Sequence, residues 1–376
     1  MVAAPTFWLC QVLGSAKLCP NISRAVPSID DGSSNVLFTT YFGAYPILDY
    51  PPATKAGHRW CNGGIPQLAN LSLHAQHIER DLDAKVSTAF AGLVVLDYES
   101  WWPIWNATTN ELYRNASRAL ARSQLPPDAS AADVETKAVA DFNEASLRFH
   151  IFTVNYTRHL RPHARIGIYS GIQASYWHDE PALDLYIARA QLPWWDSLDV
   201  IMPSVYLPYS SAVVPAANLS AYVARRLSGA AQVNTLLRQD GKPPKPIIPY
   251  VWARYHESSS PHALELLTEA DAQIEFFGMA LRKVATQAII WGNENVGPNA
   301  PKVLRWFAQR KVEFGAEPSR PTMEQQPAAA SWKKDARALL APKPGQKPSN
   351  SAVASLSPHP PIDPHGPIPP FVHCNL

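Results

Sequence analysis

Two carboxylic acids, Asp97 and Glu99, end the apolar part of the stretch GLVVLDYESWWPIW, residues 92–105. The aliphatic residues before them lack helical spacing, which predicts a buried strand of a parallel sheet. Side chains at positions i and i+2 of a strand point to the same side, so Asp97 and Glu99 share a face and Tyr98 points the other way. Because two neighbouring negative charges repel, one carboxyl should have a raised pKa and hold a proton near neutral pH, as a general acid requires.

The aromatic segment SWWPIW distinguishes two interpretations of this acid pair. In one, both carboxylates lie in a solvated loop and cap the next helix. In the other, they belong to a sugar site, because Trp101, Trp102 and Trp105 could stack on the apolar faces of pyranose rings. A helix cap gains nothing from three tryptophans, so the segment favours the sugar site. An acid beside a second carboxylate suits glycoside cleavage, whose transition state resembles an oxocarbenium ion.

Apolar runs typical of strands recur along the chain and alternate with segments of helical spacing. The runs cover residues 36–42, 92–99, 165–171, 198–207, 245–252 and 286–292. So many units in about 300 residues predict an α/β fold with parallel strands, specifically a distorted TIM-like (β/α) barrel. The carboxyl ends of barrel strands build the active site, and several runs end in an aromatic residue: Tyr169, Tyr206, Trp252 and Trp291. The alternative is that these rings only fill the barrel mouth.

The composition changes near residue 315. The segments PKPGQKPSN and PHPPIDPHGPIPP contain too much proline for a helix or a central strand. We therefore expect a barrel domain over residues 1–315 and a largely disordered, proline-rich tail over residues 316–376. A short helix at SWKKDARALLA could interrupt this tail, and a partner-binding use of its prolines is an alternative to a solvated tail.

Glycosylation signals and cysteines indicate the compartment. Six asparagines begin N-x-S/T triplets, which favours the secretory pathway or the extracellular space: Asn21, Asn70, Asn106, Asn115, Asn155 and Asn218. The first residues lack the positive segment of a signal peptide, so no signal peptide is predicted. The four cysteines lack zinc-ligand spacing, which predicts one or two disulfides with three possible full pairings: Cys10, Cys19, Cys61 and Cys374.

Charge and hydropathy argue against two classes of partner. The formal net charge of +2 is too small to indicate a nucleic-acid-binding protein, although a local basic patch could face an anionic polymer. No apolar run approaches the roughly 18 residues that a membrane span needs. Nothing in the sequence requires a metal or an organic cofactor, and we expect a monomer.

Six blocks of the sequence, in order, resemble motifs of the hyaluronidases, glycoside hydrolase family 56. The blocks are CNGGIPQLANLSLH, VLDYESWWPIW, GIYSG, MPSVYL, PIIPYVWARYH and AIIWGNEN, and the resemblance extends over about residues 5–312. It implies a TIM-like barrel and a retaining endo-β-N-acetylhexosaminidase. The implied substrate is hyaluronan or a related glycosaminoglycan.

The resemblance also implies residue roles. Glu99 would protonate the glycosidic oxygen and later activate water, while the acetamido carbonyl of the substrate attacks the anomeric carbon in place of a protein nucleophile. Asp97 would hydrogen-bond near the acetamido group and tune Glu99. Tyr169 and Tyr206 would position that group, and Trp291 would form the wall under the sugar. Further binding candidates are Trp101, Tyr41, Arg254 and His256, where a cation would suit a uronate carboxylate.

The chain departs from the family pattern at several positions. Trp102 stands where the family motif W-R-P has arginine, and Gln173 stands where an acidic or aromatic residue is frequent. The segment APTFWLCQVLG resembles the end of the family's first strand region, which implies an incomplete first strand. The family's partner for Cys10 falls near Val303, so Cys10 should pair elsewhere, for example with Cys19, or stay free.

These departures keep two further functions open. One is a catalytically weak relative that binds a glycan without cleaving it. The other is an endoglycosidase of the same mechanism that acts on a neutral N-acetylhexosamine polymer.

Overall fold

The computed structural model of the chain describes residues 7–13, 18–32, 36–40, 42–48, 60–174, 180–257, 259, 261–293 and 300–315. The predicted proline-rich tail, residues 316–376, lies outside the described residues. The strands are β1 Trp8–Leu13, β2 Ile29–Asp30, β3 Val36–Thr40, β4 Ile47–Leu48, β5 Trp60–Cys61, β6 Leu93–Asp97, β7 Arg165–Ile168, β8 Tyr250–Trp252 and β9 Ala288–Asn293. The α-helices are α1 Leu18–Ala25, α2 Leu71–Lys85, α3 Glu111–Gln124, α4 Ala131–Leu160, α5 Pro181–Ala190, α6 Leu192–Ser197, α7 Ala216–Gln239, α8 Glu269–Glu275, α9 Met279–Val284, α10 Ala300–Gln309 and α11 Lys311–Gly315.

Parallel strands form the wall of a barrel. One sheet has the order β2-β1-β9-β8 and another has the order β3-β6-β7. Isolated parallel bridges connect the two sheets through residues 201–204, which pair with Tyr169 on one side and with Ile247 and Tyr250 on the other. Helices alternate with these strands along the chain. The predicted α/β fold, a distorted TIM-like barrel, is confirmed.

The segment from Leu198 to Leu207 is where the barrel is most irregular. The sequence predicts a strand there, but the structure contains only single bridges at Ile201, Met202 and Ser204. Pro203 has no N–H group and cannot donate to a neighbouring strand, which interrupts the ladder. The prediction of a regular strand was therefore wrong, although the segment still occupies a strand's place in the wall.

The first strand pairs with a neighbour on each side. β1 pairs in parallel with β9 from Trp8 opposite Ala288 to Leu13 opposite Asn293, so every residue of β9 has a partner. β1 also pairs with β2 on its other side. Within the described residues, this register gives β1 the same length as β9.

Two hydrophobic clusters lie on opposite sides of the barrel wall. The inner cluster follows the two-residue period of the strands, as expected when one side chain in two points inward. Gly167 of β7 makes room in it, since a Cβ at that position would lie 2.4 Å from the Met202 sulfur. The buried inner residues are Leu9, Leu93, Val95, Val200, Met202, Tyr206, Ile248, Tyr250, Trp252 and Ile289. The larger outer cluster fills the space between strands and helices.

The disulfide between Cys10 and Cys19 links β1 to α1. It is one of the pairings that the sequence left open, and it supplies Cys10 with a partner in place of the position near Val303. Cys61 is also disulfide-bonded, and its partner lies outside the described residues. In the described part of the chain, none of the helices combines the length and apolar character needed to cross a membrane.

Candidate active site

The acid pair lies at the carboxyl end of β6. β6 is a central strand, paired with β3 and with β7, and all five of its residues are buried. Asp97 is its last residue and is 8% exposed, whereas Glu99 is exposed to solvent just beyond the strand. Tyr98 lies between them on the opposite side, where its hydroxyl donates to the Phe42 carbonyl. The alternation predicted from the sequence thus places Asp97 on the inner side of the wall, and a hydrogen bond between Glu99 and Asp97 brings the two carboxyls together.

The surroundings of Glu99 favour its protonated form. Partial burial raises the pKa of Glu99 above its ordinary value, and the nearby carboxylate of Glu257 adds to this rise. A hydrogen bond with Asp97 acts in the opposite direction. Because the Glu99 side chain is also exposed, water offsets part of the desolvation. A carboxyl with a raised pKa can hold the proton that a general acid delivers.

Aromatic rings from the neighbouring strand ends form a continuous wall beside the acid pair. The ring centroids of Tyr169 and Tyr206 lie 6.1 Å apart, and Tyr206 stacks on Trp291 at 5.7 Å. Trp252 closes the wall, with its ring 5.7 Å from Tyr206 and 4.7 Å from Trp291. Three of the four rings are thus in contact with one another. Below, the term aromatic wall denotes Tyr169, Tyr206, Trp252 and Trp291.

Both tyrosines of the aromatic wall remain protonated phenols. Burial raises the pKa of Tyr169 above its ordinary value, and Glu99 and Asp97 add to the rise. Burial likewise raises the pKa of Tyr206. The Tyr206 hydroxyl is buried, makes no well-formed hydrogen bond within the described residues, and lies close enough to Tyr169 for each phenol to influence the other's pKa. It therefore keeps its proton at neutral pH.

A second layer lies beneath the wall. The Tyr250 hydroxyl donates to Gln11 Oε1 at 2.7 Å, and the Tyr250 ring meets Tyr169 edge to face at 5.0 Å. Neither residue is among the site residues predicted from the sequence. For Tyr250 a signal exists, since it lies two positions before Trp252 and so shares its strand face. For Gln11, the only sequence feature that could have indicated a place in the site is its position in the first strand region.

Arg226 of α7 fixes the loops that carry the two tyrosines. It is buried and donates to the carbonyl oxygens of Ser204 at 2.7 Å, Ala174 at 2.8 Å and Ile172, and to the Ser170 hydroxyl at 3.1 Å. Its acceptors are carbonyl and hydroxyl oxygens. The guanidinium therefore connects the loop after β7 to the segment that contains Tyr206. Sequence reasoning missed this residue as well, since nothing in its helix sets it apart.

Trp101 and Trp105 are core residues and Trp102 packs against the core, which contradicts their interpretation as sugar platforms. Trp101 is 1% exposed, stacks on Tyr45 at 4.9 Å and donates from Nε1 to the Pro46 carbonyl at 2.8 Å. Trp105 is buried, and Trp102 is half-buried with its ring 6.4 Å from Trp194. Once the strand ends at Asp97, the two-residue alternation no longer applies, and these rings fill the space between β6 and the helices.

The remaining binding candidates are distributed unevenly. His256 lies beside the end of the Tyr206 segment, because its N–H donates to the Leu207 carbonyl at 3.1 Å. Burial lowers the pKa of His256, and the neighbouring Glu257 counteracts this. Arg254 donates from Nη1 to the Leu264 carbonyl at 2.7 Å, which connects it to the loop before α8. Tyr41 lies outside the described residues. Glu257, which the sequence analysis missed, is the residue of this loop that acts on Glu99.

Most of the predicted glycosylation asparagines are accessible. Asn21 is half-buried, and the other five are exposed: Asn70, Asn106, Asn115, Asn155 and Asn218. Asn70 also caps α2, since its side chain accepts from the Leu73 N–H at 3.0 Å. Within the residues that the structure describes, no three His, Cys, Asp or Glu side chains are grouped so that they could hold a metal ion.

Comparison with known proteins yields one family and several relatives. The family model described as hyaluronidase matches residues 27–303. Hyaluronidase-3 of Rattus norvegicus is 29% identical over 284 residues, which cover 72% of this chain and 64% of the relative. Hyaluronidase-1 of Homo sapiens is 30% identical over 269 residues, which cover 68% of this chain and 57% of the relative. The chain therefore spans less than two thirds of the length of these relatives.

Solved structures show the same fold. The crystal structure of bee venom hyaluronidase in complex with a hyaluronic acid tetramer aligns with a TM-score of 0.66 and 23% identity, covering 81% of this chain and 97% of that chain. A monoclinic crystal form of bee venom hyaluronidase gives the same TM-score with 21% identity, covering 82% of this chain and 99% of that chain. At this level of identity the likeness establishes the barrel fold.

Proposed function

The chain belongs to the hyaluronidase family, and we propose that it is a retaining endo-β-N-acetylhexosaminidase that hydrolyses hyaluronan or a related glycosaminoglycan. The observation that carries this proposal is the joint position of the acid pair and the aromatic wall. Asp97 and Glu99 stand at the end of β6, and the wall follows at the ends of the next strand positions. This combination provides a proton donor and a sugar-binding surface at one mouth of the barrel.

Glu99 is the proposed general acid and base. Its raised pKa favours the protonated form that donates to the glycosidic oxygen, and the resulting carboxylate can then activate water. The hydrogen bond with Asp97 couples the titration of the two carboxyls. When Asp97 is protonated, it stabilises the Glu99 carboxylate. When Asp97 is ionised, its negative charge disfavours proton loss from Glu99. Asp97 is thus the proposed tuning residue and the proposed acceptor for the acetamido N–H.

The acetamido carbonyl of the substrate is the proposed nucleophile. Tyr206 supports this role, because its buried hydroxyl stays protonated and can donate to that carbonyl. Tyr169 would hold the same group from the side, and Trp291 would contact the sugar face through its ring. Attack of the acetamido oxygen on the anomeric carbon gives an oxazolinium-like intermediate. Water then opens it from the opposite face, so the anomeric configuration is retained.

The choice of polymer is a separate proposal. Hyaluronan is favoured because the family match covers the acid pair and the aromatic wall, and because a related bee venom enzyme has been solved with a hyaluronic acid tetramer. His256 lies beside the end of the Tyr206 segment and is the proposed contact for a uronate carboxylate. A neutral N-acetylhexosamine polymer is the second candidate, since Trp102 occupies the place of the family arginine and packs near Trp194.

We further propose that the protein folds in the secretory pathway and that the barrel over residues 1–315 is the catalytic domain, with residues 316–376 as a tail. The disulfide between Cys10 and Cys19 and the exposed sequon asparagines support an oxidising, glycosylating compartment. A mass decrease after treatment with an amidase that removes N-glycans tests this proposal. Cytosolic protein with free thiols at Cys10 and Cys19 would contradict it.

Digestion assays test the proposed activity. The purified protein is incubated with hyaluronan, chondroitin and a chitin oligomer from acid to neutral pH, and the products are analysed by mass spectrometry. We expect saturated even-numbered oligosaccharides that end in N-acetylhexosamine, with the β-anomer formed first in a proton NMR time course. The β-anomer indicates retention, whereas initial α-anomer would exclude acetamido participation.

The same assay separates the alternatives. Cleavage of the chitin oligomer alone would assign the enzyme to a neutral polymer. Binding of any polymer without products would identify a glycan-binding relative that lacks catalysis. Unsaturated products would indicate an eliminase and would contradict the hydrolytic mechanism.

A further inference from the structure

Glu275, the last residue of α8, is a buried carboxyl that bridges two segments of the barrel wall. Its side chain is 0% exposed. Oε1 accepts from the Trp252 N–H at 2.6 Å, and Oε2 accepts from the Leu207 N–H at 2.9 Å. One donor thus belongs to β8, and the other belongs to the segment that contains Tyr206.

These two hydrogen bonds continue a ladder that the strands themselves do not complete. One backbone hydrogen bond between the two segments runs from the Val205 N–H to the Tyr250 carbonyl at 3.0 Å. Farther along, the next backbone hydrogen bond runs from the His256 N–H to the Leu207 carbonyl at 3.1 Å, and between these two bonds the Leu207 and Trp252 N–H groups both donate to Glu275. Buried N–H groups need acceptors, and the carboxylate supplies one oxygen to each. Glu275 therefore sets the separation of the segments where the barrel mouth opens.

The residues held in this way carry two rings of the aromatic wall. Tyr206 directly precedes Leu207, and Trp252 itself provides one of the donors. Their ring centroids lie 5.7 Å apart, and both rings contact Trp291. A change in the separation of the two backbones would therefore move the rings relative to one another. Glu275 is also close enough to contribute to the raised pKa of Tyr206, after burial as the main cause.

Burying a carboxyl at this position reduces the free energy of unfolding. Desolvation raises the pKa of Glu275 well above its ordinary value, whereas the Trp252 and Leu207 N–H groups act in the opposite direction. No described ion pair includes this residue. Burial of an unpaired carboxyl costs stability unless its hydrogen bonds compensate. An apolar residue would fill the same space at lower cost, but it would leave both N–H groups without acceptors.

We propose that Glu275 is a positioning residue that fixes the distance between Tyr206 and Trp252 and so shapes the aromatic wall for the acetamido group of the substrate. The inference about substrate rests on the proposed function. The inference about ring position does not, because it follows from the two hydrogen bonds alone.

Two substitutions and one matched control test the proposal. Glu275→Gln keeps one acceptor but sets an amide N–H against the second backbone donor. Glu275→Met has a similar length and removes both acceptors. Asn234→Leu is the control, because Asn234 also binds backbone groups of the wall, donating to the Lys245 carbonyl at 2.8 Å and accepting from its N–H at 2.7 Å. Lys245 lies before β8, at the end of the barrel opposite to Trp252.

The first readout is ring position, measured without substrate. The full chain is labelled with 5-fluorotryptophan, and the fluorine NMR signals of Trp252 and Trp291 are assigned through their phenylalanine variants. We expect both signals to shift or broaden in the Glu275 variants and to stay in place in Asn234→Leu. Where Glu275→Met does not fold, Glu275→Gln decides the outcome. Unchanged signals in folded Glu275→Gln, or equal changes in the control, would overturn the proposal.

The second readout is catalysis on the polymer that the wild-type protein cleaves. A misplacement of about 1 Å can cost about a hundredfold in rate, so we expect kcat to fall about tenfold in Glu275→Gln and about a hundredfold in Glu275→Met. KM should change much less, because contacts along the polymer persist. An equal loss of kcat in Asn234→Leu would reduce Glu275 to a merely structural role. If the wild-type protein cleaves no polymer, the proposed function fails, and the fluorine signals still decide whether Glu275 positions the wall.

Discussion

The two sides of β6 and its continuation meet different parts of the molecule. On the inner side, Leu93 and Val95 belong to the barrel interior and lead to Asp97 at the mouth. On the outer side, Tyr98 and Trp101 belong to the large cluster between strands and helices. One side therefore ends in carboxyls near solvent, while the other ends in rings without solvent contact.

The electrostatic consequences differ in the same way. Around Glu99, partial burial and a neighbouring carboxylate raise a pKa without removing water altogether. Behind Tyr98, the imidazole of His150 is enclosed by the rings of Trp101 and Trp194, at 4.9 and 5.7 Å. Burial lowers the pKa of His150 to about 3. A titratable group can therefore serve catalysis on the inner side, whereas on the outer side it stays neutral and contributes to packing.

The largest expected effect of a single change on the inner side is that of Glu99→Gln. The amide cannot donate or accept the proton, so kcat on hyaluronan should fall about 10²- to 10⁴-fold. The midpoint of thermal unfolding should stay near that of the wild-type protein, because the Glu99 side chain is exposed. Reducing-end assays and calorimetry measure the two quantities. Activity close to the wild-type value would remove Glu99 as the acid.

On the outer side, Trp101→Ala should act on stability instead. The substitution removes a fully buried ring and its hydrogen bond to Pro46, and we expect the free energy of unfolding to fall by about 3–5 kcal/mol. Denaturant titration measures this loss. Under conditions where the variant is folded, its affinity for the polymer should equal that of the wild-type protein. Weaker binding by the folded variant would restore the interpretation of Trp101 as a sugar platform.

Acid should destabilise the outer side through two buried histidines. Burial lowers the pKa of His74 and of His150 to about 3, from an ordinary value of 6.5. Above pH 6.5 both rings are neutral in the folded and unfolded states, so the contribution to stability is complete. As the pH falls from 6.5 towards 3, only the unfolded chain takes up the protons, and stability decreases by up to roughly 5 kcal/mol for each ring.

His150→Phe tests this pH dependence, because it removes one of the two titrating rings and keeps an aromatic side chain. Stability curves from pH 7 to pH 4 should be less steep for the variant than for the wild-type protein. His163→Gln, which changes an exposed histidine, is the control and should leave the steepness unchanged. If stability depended equally steeply on pH in the wild-type protein and in His150→Phe, His150 would take up its proton as readily in the folded state as in the unfolded state.

The smallest expected effect concerns Glu257, which acts on the inner side from a neighbouring loop. Its carboxylate adds to the raised pKa of Glu99, so Glu257→Gln should lower that pKa. Because the protonated acid is the active form, the basic limb of the kcat/KM profile should move to lower pH, by less than about one pH unit. If the basic limb of the Glu257→Gln variant moved to higher pH, or moved to lower pH only in high salt, Glu257 would act through another group.

Local periodicity accounts for the part of the site that the sequence predicts. The run from Leu93 to Asp97 is a buried strand, and the two-residue period alone places Asp97 on the inner side and Tyr98 on the outer side. The barrel follows from the alternation of such runs with helices, and the strand ends locate Tyr169, Tyr206 and Trp291. The prediction fails at Trp101, which follows the last strand residue, where no period relates a side chain to a face.

The sequence by itself therefore determined the strand that carries the acid pair and the side to which Asp97 points, because both depend on residues only a few positions apart, and the alternation of strand and helix patterns along the chain determined the fold class. Tertiary structure alone decided the pairing of Cys10 with Cys19, the burial of Trp101 and the contacts of Glu275 with the Leu207 and Trp252 N–H groups. The approach of Glu257 to Glu99 belongs to the same group. These features depend on how segments that are distant along the chain pack around the barrel, and no local sequence pattern specifies that packing.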